Sequence, residues 1–419
     1  MWTELRREFI FAWRDQACRW TTLLALGLSI CALILGSAEI NHQHEELSGL
    51  KAAVSKEREQ ALADRTDPGD IAYQVFHLTY DEPTSLAFAA VGLRDELPWK
   101  HRLRMLALEG QIYETDTGNP ELAALGQLDF AFLISMLLPL FAIGLLFDLQ
   151  AKERRAGRYE LLCATSIFGE RLFLIRAALR SIVLLFALAL PFGYMATIHK
   201  VPLPSGLGVL AAILLHILFW MLVCYAITKR QVGGVTAALI LLGIWIFFAV
   251  VVPVLGKARV DEQISVPHGG DILLTQRETV NAAWDLPKSS TMKPFLATHP
   301  EWVVHAQIDR PFEWKWYYAF QQVGDQAAAP ISEALYAGMS TKDEAMGRIA
   351  WLSPPLLTYR TLTTLARTDV TQHLHYIHCA RDFHASLRQF YYPMLFGKEA
   401  FSLEEFIPQL PRFEPCTEH

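Results

Sequence analysis

The sequence predicts a mainly α-helical, polytopic membrane protein with five transmembrane helices, an N-terminal interfacial helix and two mostly helical extracytoplasmic segments. Three observations carry this. Of 419 residues, 52% are hydrophobic and 19% charged, with mean hydropathy +0.23, outside the usual soluble range. Five apolar runs (21–40, 128–148, 179–199, 206–227 and 232–255) are each long enough for about 30 Å of hydrocarbon. Basic residues are concentrated at alternate ends of these runs.

Taken in order, residues 1–20 place Trp2, Leu5, Phe9, Ile10, Ala12, Trp13 and Ala17 at helical spacing, with Arg6, Arg7, Glu8, Arg14 and Asp15 between them. That pattern predicts an amphipathic helix in the headgroup layer, the alternative being an inward extension of the first span. The first run is too long for a signal-peptide core and lacks a small-residue cleavage site, so it is expected to remain as an anchor. Segment 41–127 has acidic residues in excess and turn signals in "RTDPGD" and "YDEPTS", and residues 44–63 read as a charge-paired helix leaving the first span. After the second span comes a charged loop, 149–178. The turn "KVPLPSG" joins spans three and four, and Lys229-Arg230 joins four and five. Segment 256–419 mixes turn signals ("VPHGGD", "DLPKSS") with helical periodicity at Thr341–Ile349 and Val370–Phe390.

Arg6, Arg7, Arg14 and Arg19 precede the first span, and the stretch from Lys152 to Arg180 carries seven basic residues. By the positive-inside rule the N-terminus and the 149–178 loop are cytoplasmic, and the C-terminus lies outside. A net charge of −6 excludes a generally basic nucleic-acid binder. Both GK pairs, Gly256-Lys257 and Gly397-Lys398, lack the remainder of a phosphate-binding loop, and no hydrolase or metalloprotease motif occurs. The chain is therefore expected to be no enzyme and to bind no cofactor.

The loop "FDLQAKERRAGRYELL", Phe147 to Leu162, fits a short helix along the membrane surface with Gly157 permitting a bend. On spacing alone its arginines read first as topology signals. The wider stretch "GNPELAALGQLDFAFLISMLLPLFAIGLLFDLQAKERRAGRYELLCATSI" resembles the core signature of ABC-2-type transporter permeases, in the subgroup with large extracytoplasmic domains of unknown function. The resemblance runs through Asn119-Pro120, Gly126, Asp129, Pro139-Leu140, Asp148, Glu153-Arg154, Gly157 and Leu161-Leu162. It extends to "VGLRDELPW" at Arg94-Asp95, "THPEW" at His299–Trp302 and "WLSPPLLTYRTLTTLARTD", which ends at Asp369.

The resemblance implies a coupling helix docking on a separate ABC ATPase subunit, with Glu153, Arg154, Arg155, Gly157 and Glu160 as docking positions. It also implies ATP and Mg on that partner, a second permease, identical or related, and residence in a bacterial inner membrane. An extracytoplasmic partner is expected if the subunit transmits motion instead of exporting a substrate. Members of that subgroup commonly have six spans, whereas no apolar run follows Leu255 here.

Other candidates are weaker. His216 is the most polar side chain of the fourth span; it and the kinking Pro139 are candidates for a substrate path, an interhelical hydrogen bond being the plainer reading of His216. Pro191 is a second kink. In "TQHLHYIHCARDFH", His375, His378 and Cys379 lie within a helical turn of each other, a weak metal candidate; "NHQHEE" is weaker still. Cys379 and Cys416 are the cysteines expected on the oxidising side, a candidate disulfide or two free thiols.

Overall fold

The computed structural model describes residues 2–63, 65–113, 128–397 and 401–415. Helix α1 (Trp2–Arg14) ends at Asp15, and α2 (Gln16–Ala63) then runs unbroken for 48 residues, about 70 Å at 1.5 Å per residue. Trp2, Phe9 and Trp13 are exposed on α1, but Glu8 and Ala12 are buried. The charged face expected from the spacing is therefore split, with Glu8 turned into the protein.

Beyond α2 come α3 (Pro68–Gln74) and an antiparallel hairpin of β1 (His77–Tyr80) and β2 (Lys100–Leu103), with His77 opposite Leu103. The first outer segment thus holds strands as well as helices. Helix α4 (Leu108–Tyr113) follows. Next come α5 (Phe130–Arg155), α6 (Tyr159–Thr165), α7 (Leu172–Ile198), α8 (Leu203–Lys229) and α9 (Gly234–Gln263). Helices α2, α5, α7, α8 and α9 are long and apolar enough to cross a membrane, so the mostly helical membrane-protein class holds. The chain ends through α10 (Gly269–Asp285), α11 (Lys288–Thr298), α12 (Trp314–Ala350), α13 (Pro354–Ala366), α14 (Val370–Leu395) and α15 (Leu403–Gln409).

Two cores result. One joins the apolar helices through Leu33, Phe130, Leu138, Phe192, Trp220 and Leu241. The other draws Ile71 and Met105 from the first outer segment together with Phe295, Trp316, Phe320 and Tyr391 from the last. Arg388 pairs with Asp325, whose carboxylate also accepts the amides of Leu108 and Glu109 at 2.8 and 3.2 Å, so α14, α12 and the start of α4 are pinned together. The two outer segments form one packed layer. Helix α13 departs from this division: Leu362 and Ala366 are buried in the core of the apolar helices.

Two spans carry π-helical turns, Leu133–Leu137 in α5 and Phe247–Val251 in α9, each closing with an amide bonding five residues back. Both lie just before a proline, Pro139 and Pro253. A proline has no N–H for the carbonyl four residues earlier, and a wider turn accommodates the mismatch. Pro191 sits inside α7.

Candidate coupling site and the contacts that anchor it

The loop between the second and third apolar helices has two faces. Gly157 adopts φ +69°, the left-handed conformation a side chain disfavours, and this reverses the chain into α6. A Cβ there would meet nothing within 4 Å, so the glycine supplies conformation and not space. On the inward face, Glu153 receives Arg158 at 2.9 Å and Arg176 at 3.5 Å. Arg176 also reaches Glu8 of α1 at 2.6 Å, and the Glu8 side chain is 2% exposed. Arg154 donates to Gln150 at 2.8 Å and to the Thr228 carbonyl at the end of α8 at 3.3 Å, and its guanidinium lies 4.6 Å from the Tyr159 ring. Arg180 ties α7 to Asp15 and to the Leu145 carbonyl. A cavity of about 480 Å³ lies among these groups, lined by Glu8, Asp15, Asp148, Glu153, Arg176 and Arg180.

On the outward face, Lys152, Arg155, Gly157, Arg158, Glu160, Leu161 and Ile167 are exposed. Arg155 is held by Asp148 through both carboxylate oxygens, at 2.7 and 2.8 Å, but leaves 61% of its side chain in the open. Of the five expected docking residues, Arg155, Gly157 and Glu160 face outward, whereas Glu153 and Arg154 are turned onto neighbouring helices. Glu8 and Arg176 carry as much of this network as the loop does. Spacing did not reveal them, although Glu8 is an acid set among arginines.

At the opposite end of the apolar helices, residues of the quoted motifs meet. Arg94, its side chain 4% exposed, forms an ion pair with the Asp81 carboxylate, donates to the Asp81 carbonyl at 2.7 Å and to Gln43 of α2 at 3.1 Å. Asp129 caps α5 by accepting the Phe132 amide at 2.7 Å and also holds the Val91 amide at 3.0 Å. Thr368 accepts from the Leu93 amide and donates to the Ala90 carbonyl, both at 2.9 Å. Gly92, at φ +57°, makes this approach: a Cβ there would sit 2.5 Å from the Thr368 oxygen. Three stretches far apart in sequence thereby form one collar around the ends of α2 and α5. Asn119, Pro120 and Gly126, quoted from the same motif, lie outside the described residues.

Residues 272–415 match a family described as Domain of unknown function (DUF3526). No curated protein and no solved structure matches the chain. The matched segment, a third of the chain, supplies Thr368 of the collar and all of α11 to α15.

His216 of α8 meets Thr358 of α13, within that matched segment, at 2.9 Å through Nδ1. Its Nε2 is buried without a hydrogen-bond partner among the described residues, and Ser135 of the π-helical turn before Pro139 lies close to the ring. The hydrogen-bond reading of His216 thus finds its partner on α13 instead of on a neighbouring span. Pro139 is buried. Trp245 of α9 donates to the Met136 carbonyl of the same turn at 3.1 Å.

The histidine-rich helix does not gather its candidates. His375 Nε2 lies 3.8 Å from Cys379 Sγ, but His378 is exposed and paired with Asp382 at 2.9 Å. Among the described residues no group of three or more His, Cys, Asp and Glu is placed to hold a metal ion. Cys416 lies outside the described residues. A Cys379–Cys416 bridge would close roughly 36 residues and stabilise the outer layer by about 3–4 kcal/mol. Thiol labelling after denaturation without reductant is then expected to modify Cys18, Cys31, Cys163 and Cys224, which are free, and to reach two more thiols only after reduction. Free Cys416 in most molecules would rule the bridge out.

Proposed function

We propose that this chain is the membrane subunit of an ATP-driven transporter of the ABC-2 type, exporting or releasing a substrate across a bacterial inner membrane. ATP and Mg would bind a separate pair of ATPase subunits, and a second permease, identical or related, would complete the membrane part. The observation that carries the reading is the two-faced loop. Its outward face presents a basic, partly apolar handle. Its inward face is tied by Glu153, Arg154 and Arg176 to α1, α7 and α8, so a partner moving the handle would move several helices together. The N-terminus and this loop would face the cytoplasm and the C-terminus the other side. A reporter active only in the cytoplasm, fused after His419, should be silent; activity there would invert the topology.

Reversing the two outward-facing docking charges, Arg155→Glu with Glu160→Arg, is expected to weaken co-purification of the ATPase roughly tenfold or more while leaving membrane insertion intact. Wild-type association and turnover would reduce the cluster to a topology signal.

A second reading, in which the subunit carries motion to an extracytoplasmic partner and transports nothing, draws support from α2. This helix runs without interruption from beside the loop network into the outer layer, where Ala61 and Leu62 join the second core. Substrate-stimulated ATPase turnover in purified complexes favours export; stimulation by an outer protein partner alone favours the mechanical role.

A further inference from the structure

We propose that the α12–α13 hairpin dips into the outer half of the bilayer, with Trp351 and Leu352 at its tip among lipid acyl chains. The inference requires only that the five apolar helices are spans and is independent of any ATPase.

Depth is read from what the hairpin touches. Descending α12 meets the end of α9 in step: Lys342 pairs with Asp261 at 2.6 Å, and Ile349 packs on Gly256. At the turn, Ser353 Oγ donates to the Phe248 carbonyl at 2.6 Å. Phe248 lies seven residues inside Leu255, where the apolar run ends, about 10 Å at helical rise. Ascending α13 then follows α8: Thr358 meets His216, and Leu365 packs on Gly208. His216 is nine residues inside Leu207, about 14 Å. Both contacts place the hairpin about 10–14 Å inside a core about 30 Å thick.

The tip is also built for a medium without water. From Ile349 to Tyr359, "IAWLSPPLLTY", no residue is charged. The first turn of a helix normally leaves amides without partners. Here Pro354 and Pro355 have no N–H to satisfy, the Leu356 amide bonds to Ser353 Oγ at 3.2 Å and the Leu357 amide to the Ser353 carbonyl at 2.9 Å. The Leu352 and Ser353 amides close back on Ile349 and Ala350, each at 2.9 Å. Lipid tolerates a chain reversal only when its backbone is satisfied internally. Ser353 also answers the carbonyl of the π-helical turn in α9. Trp351 and Leu352 are nevertheless 77% and 66% exposed, and Val250, Val254 and Leu255, on the part of α9 that the hairpin follows, are exposed too. Apolar side chains exposed at that depth suit acyl chains. Of the charges that flank the tip, Arg360 is held by Asp343 through two bonds, at 2.6 and 2.8 Å, and Arg348, exposed one turn above Trp351, has a side chain long enough to reach back toward the headgroups.

The test places single cysteines at the tip, Leu352→Cys and Trp351→Cys, and at Val304, an exposed residue of the outer layer, in the full chain, with labelling of the parent protein subtracted. In intact membranes a membrane-impermeant maleimide should modify either tip cysteine at least tenfold more slowly than Val304→Cys. After reconstitution, a fluorophore at position 352 should be quenched by lipids brominated along their acyl chains, and one at 304 should not. Equal labelling at 352 and 304 overturns the proposal. Cross-linking of 352 between two copies, with no quenching by brominated lipid, overturns it as well, because a second permease and not lipid would then cover the tip.

Discussion

Replacing Arg94 by alanine is expected to destabilise the protein by about 3–5 kcal/mol, the usual cost of removing one partner of a buried ion pair. The reason lies in what is left behind. Burial already pushes the Asp81 carboxyl above the ordinary range, against the pull of Arg94 and of Gln372 at 2.9 Å. Without the guanidinium, Asp81 must stay charged in a nearly dry site or take up a proton. Gln43 of α2 would lose its donor, so the first apolar helix would also be released from the collar. Arg94→Lys keeps the charge but not the forked geometry, and an intermediate loss is expected. The control is Arg102→Ala: its pair with Glu57 is half exposed on both sides, and such pairs contribute at most about 1 kcal/mol. Thermal unfolding in detergent reads both. Arg94→Ala as stable as Arg102→Ala would show that the collar is not held by this pair.

The second large effect is acid lability of the outer layer. His77, His101 and His384 are buried there, and burial holds their pKa values down to about 3, 4 and 3. Neighbouring positive charge, Arg58 near His77 and Arg388 near His384, acts in the same direction. His101 Nδ1 meets the Tyr376 hydroxyl at 2.6 Å, His384 Nε2 meets the Arg104 carbonyl at 3.0 Å, and His77 lies edge-on to Phe383. In the unfolded chain each would titrate near 6.5. Because the folded values are depressed, protons bind the unfolded chain first. Stability is complete above about pH 6.5 and falls as the pH drops toward the folded values. At pH 5 the loss is about 2 kcal/mol for each histidine. His373, which burial lowers to about 4, adds a fourth such group, so melting temperatures between pH 7.5 and 5 should drop steeply, and His384→Gln should flatten the slope by about a quarter, whatever it does to stability at pH 7.5. A flat profile for the parent protein would show that these rings protonate without unfolding.

Much of the architecture was legible because the bilayer imposes a simple rule. A helix must be apolar for about 20 residues to cross it, and five runs satisfy that rule at the positions where the five long apolar helices appear. The breaks were legible for the same reason, since "RTDPGD" and "KVPLPSG" concentrate residues that cannot continue a helix. Pro139 marks a backbone irregularity but not its form; the same chemistry applies at Pro253, and only the fold shows a π-helical turn before each. The hairpin at His77–Leu103 is not legible in local sequence, because its two four-residue strands are too short for a clear alternation.

The candidate site divides along similar lines. Local sequence was enough to locate the charged loop and its glycine, because a charge cluster between apolar runs and a left-handed turn are properties of consecutive residues. Which charges face outward was decided only by the fold. Glu153 and Arg154 turn inward because Arg176, Glu8 and the Thr228 carbonyl arrive from other helices to meet them. The collar likewise needs Gln43, Asp81, Arg94, Asp129 and Thr368 in one place, and no spacing rule relates residues so far apart. Helix α13 is the clearest case. Its sequence is short, threonine-rich and opened by two prolines, so hydropathy counts it with the outer segment. Only packing against α8 and α9 reveals its satisfied backbone and apolar tip, because burial among other helices depends on partners that the local sequence does not contain.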